Sequence, residues 1–108
     1  MSLAEFYTLL NSITGFADKV AYRQFEENAA PALPFIVYYE DSTDNFKADN
    51  KVYQKRRNIV VELYTQEKDP DSEELVEKLF DDNSIPWDKI EEYIDSEHMY
   101  MNSYSILI

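Results

Sequence analysis

A chain of 108 residues with 44% hydrophobic and 15% aromatic side chains has the apolar content for one compact domain, so a folded core is expected despite a formal charge of −12. The absence of cysteine excludes disulfides, thiolate catalysis and cysteine–zinc sites together. An acidic excess of this size speaks against general binding to nucleic acid, whose phosphates require a basic face, and no apolar stretch approaches the roughly 20 residues needed to span a bilayer.

The opening Met1-Ser2-Leu3-Ala4-Glu5 has no basic region leading into an apolar core, so no signal peptide is expected and the expectation is a soluble cytoplasmic protein. Ser2 followed three residues later by Glu5 forms a capping box, and Leu3, Phe6, Tyr7, Leu10 and Ile13 follow one helical face. Thr14-Gly15, with the only glycine of the chain, is expected to close this helix. Val20, Tyr22 and Phe25 suggest a strand from Lys19 to Glu26, and Pro31 and Pro34 bracket the turn that follows. Phe35 to Glu40 is β-prone with apolar residues on both faces, the pattern of a strand that is central and covered or buried against another chain. Ser42 to Asn50 reads as a polar loop, with Phe46 as its apolar anchor.

Val52 to Tyr64 reads as a long strand whose second half alternates, Ile59, Val61 and Leu63 against Val60, Glu62 and Tyr64. If it continues unbroken, the run Lys55-Arg56-Arg57 must project to both faces, which places that end beyond the core. Asp69-Pro70 marks an N-cap and first helical position, and Asp71, Glu73 and Glu74 load the positive end of the helix dipole. Leu75, Val76, Leu79 and Phe80 form the apolar face of this second helix, with Glu77 and Lys78 expected to point away from it. Pro86 then opens a strand carrying Trp87, Ile90, Tyr93 and Ile94, and Ser96-Glu97-His98 makes a turn. Met99 to Ile108 is a last strand with Tyr100, Tyr104, Ile106 and Ile108 on one face and Asn102 as the polar intruder. The order α-β-β-β-α-β-β predicts one α+β domain over residues 1–108: a mainly antiparallel sheet of about five strands, two helices packed on one side, and a long excursion between the second and third strands.

No constellation for catalysis emerges. His98 is the only histidine, and in its turn it reads as ordinary surface without a serine or carboxylate partner. Asp41, Asp44, Asn45 and Asp49 resemble a calcium loop only superficially, since the glycine and terminal glutamate such a loop requires are missing. One glycine excludes a glycine-rich phosphate cradle. The expectation is a protein that is not an enzyme, with no catalytic, cofactor-binding or metal-binding residues and no cofactor. Tyrosines at 38, 39, 53, 64, 93, 100 and 104 fall in predicted strands, where they serve core and cross-strand packing or a protein interface.

Charge is placed unevenly. From Glu67 to Glu97 the acids far outnumber Lys68, Lys78 and Lys89, while Lys47, Lys51, Lys55, Arg56 and Arg57 cluster. The basic cluster is read either as a strand edge protected from aggregation or as the partner of an acidic edge on another copy.

The series Leu33-Pro34-Phe35-Ile36-Val37-Tyr38, then Asp44-Asn45-Phe46-Lys47-Ala48-Asp49-Asn50-Lys51-Val52-Tyr53, then Val61-Glu62-Leu63-Tyr64-Thr65 with Lys68-Asp69-Pro70, resembles small prophage proteins of Gram-positive bacteria. Glu92-Tyr93-Ile94-Asp95-Ser96-Glu97, followed by a tyrosine-bearing strand, looks similar too. The resemblance, over about Ala21 to Ile108, is to tail completion or tail terminator (head–tail joining) proteins of long-tailed phages. It implies a ring, usually hexameric, that caps the tail tube and meets the head–tail connector. The partners would be further copies of the chain, the tube protein and the connector, with no specific nucleic-acid binding and no membrane. The location would be the bacterial cytoplasm during assembly and the head–tail junction of the virion. On this reading Phe46, Lys47, Lys51, Tyr53, Lys55, Arg56 and Arg57 form the subunit or partner interface. The alternative is an acidic binding module, a DNA mimic or inhibitor of a nucleic-acid enzyme.

Overall fold

The first helix, α1 (Leu3–Asn11), begins as its sequence dictates: the Glu5 N–H donates to Ser2 Oγ and the Ser2 N–H donates to Glu5 Oε1, both at 3.1 Å. A computed structural model describes residues 1–48 and 50–108 of the chain, without the side chains of Phe46, Lys47, Val52, Tyr53 and Gln54. The helix ends before Thr14-Gly15, because Asn11 Nδ2 and Ser12 Oγ donate to the Tyr7 and Leu9 carbonyls and so satisfy the last turn. Gly15, at φ +89°, instead turns the chain after the helix, and Ile13 and Phe16 still enter the core.

β1 (Val20–Tyr22) pairs parallel with β2 (Phe35–Thr43), which pairs antiparallel with β5 (Arg57–Thr65). The strand expected over 19–26 is only three residues long, since Arg23 takes a positive φ of 69° and leads the chain out of the sheet. Between β2 and β5 lies a separate hairpin of β3 (Phe46–Ala48) and β4 (Lys51–Gln54). After β5 come α2 (Pro70–Asp82), β6 (Trp87–Ile94), a 3₁₀ turn at Asp95–Glu97 and β7 (Met99–Leu107). The sheet order is β1-β2-β5-β7-β6, antiparallel except at β1. The fold is the expected α+β arrangement, with the hairpin as an additional element inside the excursion.

The period-two pattern of β5 sets the two faces of the sheet. Ile59, Val61, Leu63 and Thr65 are buried, and their cross-strand partners include Tyr38 and Ile36 on β2 and Ile106, Tyr104 and Asn102 on β7. Both helices cover this one face. Phe6 of α1 lies edge-on to Tyr38 (5.8 Å) and stacks with Phe80 of α2 (6.5 Å), which meets Tyr104 edge-on at 5.6 Å. The opposite face, with Phe35, Tyr39, Val60, Tyr64 and Met101 half-buried, has no helix on it. Only the 23–34 segment reaches it, through Phe25 on Phe35 (5.1 Å) and Arg23 over Tyr39 (5.1 Å).

α2 starts as predicted, with Asp69 accepting from the Ser72 N–H at 3.1 Å and Pro70 in the first turn. Two expectations about its faces fail. Leu75 is 39% exposed, whereas Glu77, expected to point outward, lies over the sheet and accepts a hydrogen bond from the Tyr104 hydroxyl at 2.6 Å. The side-chain stripe that meets the sheet is Glu73, Val76, Glu77 and Phe80.

Candidate protein interface

The expected continuous strand 52–64 is broken at Lys55-Arg56, which belong to neither β4 nor β5. Three consecutive bases in a strand would alternate across the sheet, one of them toward the core. The break avoids that, and its backbone is held from the other limb: the Arg56 N–H donates to Asn45 Oδ1 (3.0 Å) and the Asp44 N–H to the Arg56 carbonyl (3.0 Å). A register shift between Glu40 and Ser42 in β2 accompanies it. The result is a pinched neck from which the β3–β4 arm leaves the sheet, and the molecule measures 50 × 29 × 25 Å.

Lys55, Arg56 and Arg57 come together at this neck, around a cavity of about 190 Å³ that Leu3, Glu40 and Thr43 also line. Arg57 is anchored: its Nε lies 3.6 Å from Glu40 Oε1, its Nη1 donates to the Met1 carbonyl (3.4 Å), and its backbone exchanges hydrogen bonds with Ile108. Among the described residues Lys55 and Arg56 have no carboxylate within ion-pair distance, and Lys55 is exposed. Lys51, also exposed, opens β4. Of the remaining predicted interface residues, the side chains of Phe46, Lys47 and Tyr53 lie outside the described residues, as does Asp49 of the calcium-like series. The arrangement can receive a carboxylate, with two free cations and an anchored third around one small concavity.

A second charged cluster lies at the other end of the sheet, between α2 and β6, and the sequence did not announce it. Glu73, 3% exposed, holds Lys68 Nζ (2.7 Å from Oε2) and Lys89 Nζ (2.9 Å from Oε1). Lys89 also reaches Glu77 at 2.8 Å, and Lys68 reaches Glu91 at 2.5 Å. Burial works against the Glu73 carboxylate, but hydrogen bonds from the two lysines outweigh it and hold its pKa below the ordinary value. The same bonds, from Glu77 to Lys89 and from Glu73 to Lys68, raise both lysines. Tyr104 is pushed far up, by burial first and by its bond to Glu77 second. One signal was available: Glu73 and Glu77 stand four apart on the stripe that holds Val76 and Phe80. These groups satisfy one another, so the cluster fastens α2 to β6 and β7.

The largest concavity, about 510 Å³ at the β6 start, is lined by Asp41, Ser42, Asn58, Trp87 and Asp88 among others. Its two carboxylates are exposed, and the Trp87 indole N–H is engaged by Asp81 at 2.9 Å. His98 is exposed at a left-handed position. Tyr38 and Tyr104 are core residues, whereas Tyr93 is 50% exposed against Tyr100 on the edge. No helix of the described chain is long and apolar enough to cross a membrane. No protein-family model matches the sequence, and no curated protein is significantly similar to it.

Proposed function

We propose that this chain is a non-enzymatic assembly protein of a phage or prophage virion, a tail completion or head–tail joining protein that acts by forming a ring and docking to the tail tube and the connector. The observation that carries the reading is the neck of the arm: Lys55 and Arg56 without in-chain carboxylates, on a projecting element, in a chain of net charge −12. A basic projection on an acidic protein fits an acidic protein neighbour better than phosphate, because the rest of the chain repels a polyanion. The sequence resemblance supplies the setting. The DNA-mimic alternative needs a continuous stripe of free carboxylates, and Glu73, Glu77 and Glu91 are already held by lysines.

Electron microscopy of purified tail tubes with the protein tests this reading, with a ring-shaped cap at one tube end as the expected result. Reversing Lys55, Arg56 and Arg57 to Glu is expected to abolish the cap while the monomer unfolds within about 1 kcal/mol of wild type, since only the surface pair Arg57–Glu40 is lost. Tubes without caps in the presence of wild-type protein would refute termination, and caps formed normally by the triple variant would refute the role of the neck.

A further inference from the structure

The sheet has two unlike edges. β1 is three residues long, parallel, and turned away by Arg23. β6 is eight residues long, pairs with β7 from Trp87 to Ile94 without a register shift, and has no strand on its other side. Half of its backbone N–H and C=O groups therefore face away from the sheet, which makes it an open template for a neighbour. Its two faces differ. Lys89 and Glu91 lie under α2 and are spent on Glu73, Glu77 and Lys68. On the helix-free face Asp88, Ile90 and Glu92 form a stripe in which Ile90 is 65% exposed and, among the described residues, neither carboxylate has an ion pair.

This edge rejects a copy of itself. Antiparallel pairing of two β6 strands about Ile90 would set Asp88 of each opposite Glu92 of the other, like charges twice over. It requires a basic occupant, and the chain has one with no in-chain use at the neck of the arm. We infer that the Asp88–Ile90–Glu92 stripe of β6 is the acceptor for the Lys55–Arg56 neck of a second copy. Donor and acceptor are different patches on the same chain, so the contact is head-to-tail and propagates into a ring or a filament rather than a closed pair. The inference rests on the reading of the arm as a contact between copies, and it supplies the acceptor side which that reading leaves open.

The lack of cysteine allows a direct test. Thr43→Cys marks the neck and Ile90→Cys marks the stripe; both sites are exposed and neither substitution alters a charge. The two single variants are mixed in equal amounts at low salt with a short bis-maleimide, and the products are counted by intact mass. Random collision gives the mixed dimer twice the yield of each like dimer. The expected result is a mixed Thr43→Cys–Ile90→Cys dimer several-fold above that ratio, falling to the ratio at 0.5 M salt or when Asp88 and Glu92 are changed to Lys. Excess mixed dimer with Glu27→Cys in place of Ile90→Cys would overturn the inference, as would a mixed yield at the random ratio. A neck variant that links only to itself would refute the β6 acceptor while sparing the arm as a contact. A neck variant that links to nothing above the Glu27→Cys background would remove both, and tube capping remains a separate readout.

Discussion

Glu73→Gln isolates the charge at the centre of the α2–β6 cluster. Its carboxylate side chain is 4% exposed and receives Lys89 at 2.9 Å and Lys68 at 2.7 Å, so the substitution keeps the shape and removes what both ammonium groups were bonded to. Breaking a fully buried ion pair costs about 3–5 kcal/mol, because the remaining charge is stranded. Here the lysines are 47% and 28% exposed and keep Glu91 and Glu77, so they are partly rehydrated and partly still paired. Roughly half the fully buried cost remains, about 2 kcal/mol, or a fall in Tm of roughly 10 °C for a domain of this size. The pH dependence gives the second half of the test. The Glu73 pKa is lowered on folding, so its contribution is present above the ordinary carboxylate value near 4.5 and is lost as pH falls below it. Lys68 and Lys89 are raised, so theirs is complete below the ordinary value near 10.5 and is lost as pH rises through the elevated one. Urea unfolding of wild type and Glu73→Gln should differ by the full amount at pH 7 and converge toward pH 3. Glu74→Gln, an exposed carboxylate on the same turn, should change stability by less than about 0.5 kcal/mol. A Glu73→Gln variant no weaker than Glu74→Gln at pH 7, or a gap that persists undiminished at pH 3, would refute the reasoning.

Tyr104→Phe removes the hydroxyl that donates to Glu77 at 2.6 Å and leaves the ring packed on Phe80 and Trp87, so a loss of about 1.5–3 kcal/mol is expected in the same urea assay. An unchanged midpoint would mean the hydroxyl stabilises nothing. Asn102 is fully buried, and neither its Oδ1 nor its Nδ2 finds a protein hydrogen-bond partner. Asn102→Leu, close in volume and beside Leu63, is therefore expected to raise stability by about 1–2 kcal/mol, and a lowered Tm would contradict that expectation.

The parts of the fold legible in sequence are those set by local chemistry. Ser2 with Glu5 and Asp69 with Pro70 place both helix starts because a cap involves residues at most three apart. Ile59, Val61 and Leu63 announce β5, and Tyr104 and Ile106 announce the buried side of β7, because alternation is a property of one strand. What failed depends on groups distant in sequence. Glu77 looked like a solvated residue because its partners, Lys89 and Tyr104, come from two other strands. The strand break at Lys55-Arg56 depends on Asn45 and Asp44 across the neck, which no periodicity in 52–64 reveals. Of the predicted interface, the convergence of Lys55, Arg56 and Arg57 was legible because they are adjacent; the carboxylate stripe that answers them was not, since it needs the strand order that puts β6 at the edge.

That strand order also explains why so acidic a chain keeps a few bases unspent. Twenty-two acids face ten lysines and arginines, so in a random arrangement nearly every cation would find a carboxylate in its own chain. In the acidic stretch each one does: Lys68 and Lys89 are drawn under α2, and Lys78 pairs with Asp82 one helical turn away at 2.6 Å. At the neck only Arg57 is paired, at 3.6 Å, while Lys55 and Arg56 stand on an element that leads away from the acids of α2 and β6. Distance along the sheet thus prevents the chain from neutralising itself: β2 and β5 carry the neck, and β7 intervenes before the acidic edge. With a screening length of about 8 Å at physiological salt, the two patches act on each other only weakly within one molecule and strongly when a second molecule brings them into contact. Folding draws on the cations that α2 buries and assembly on those it cannot reach, which is why charge changes at the neck should alter association without altering the fold.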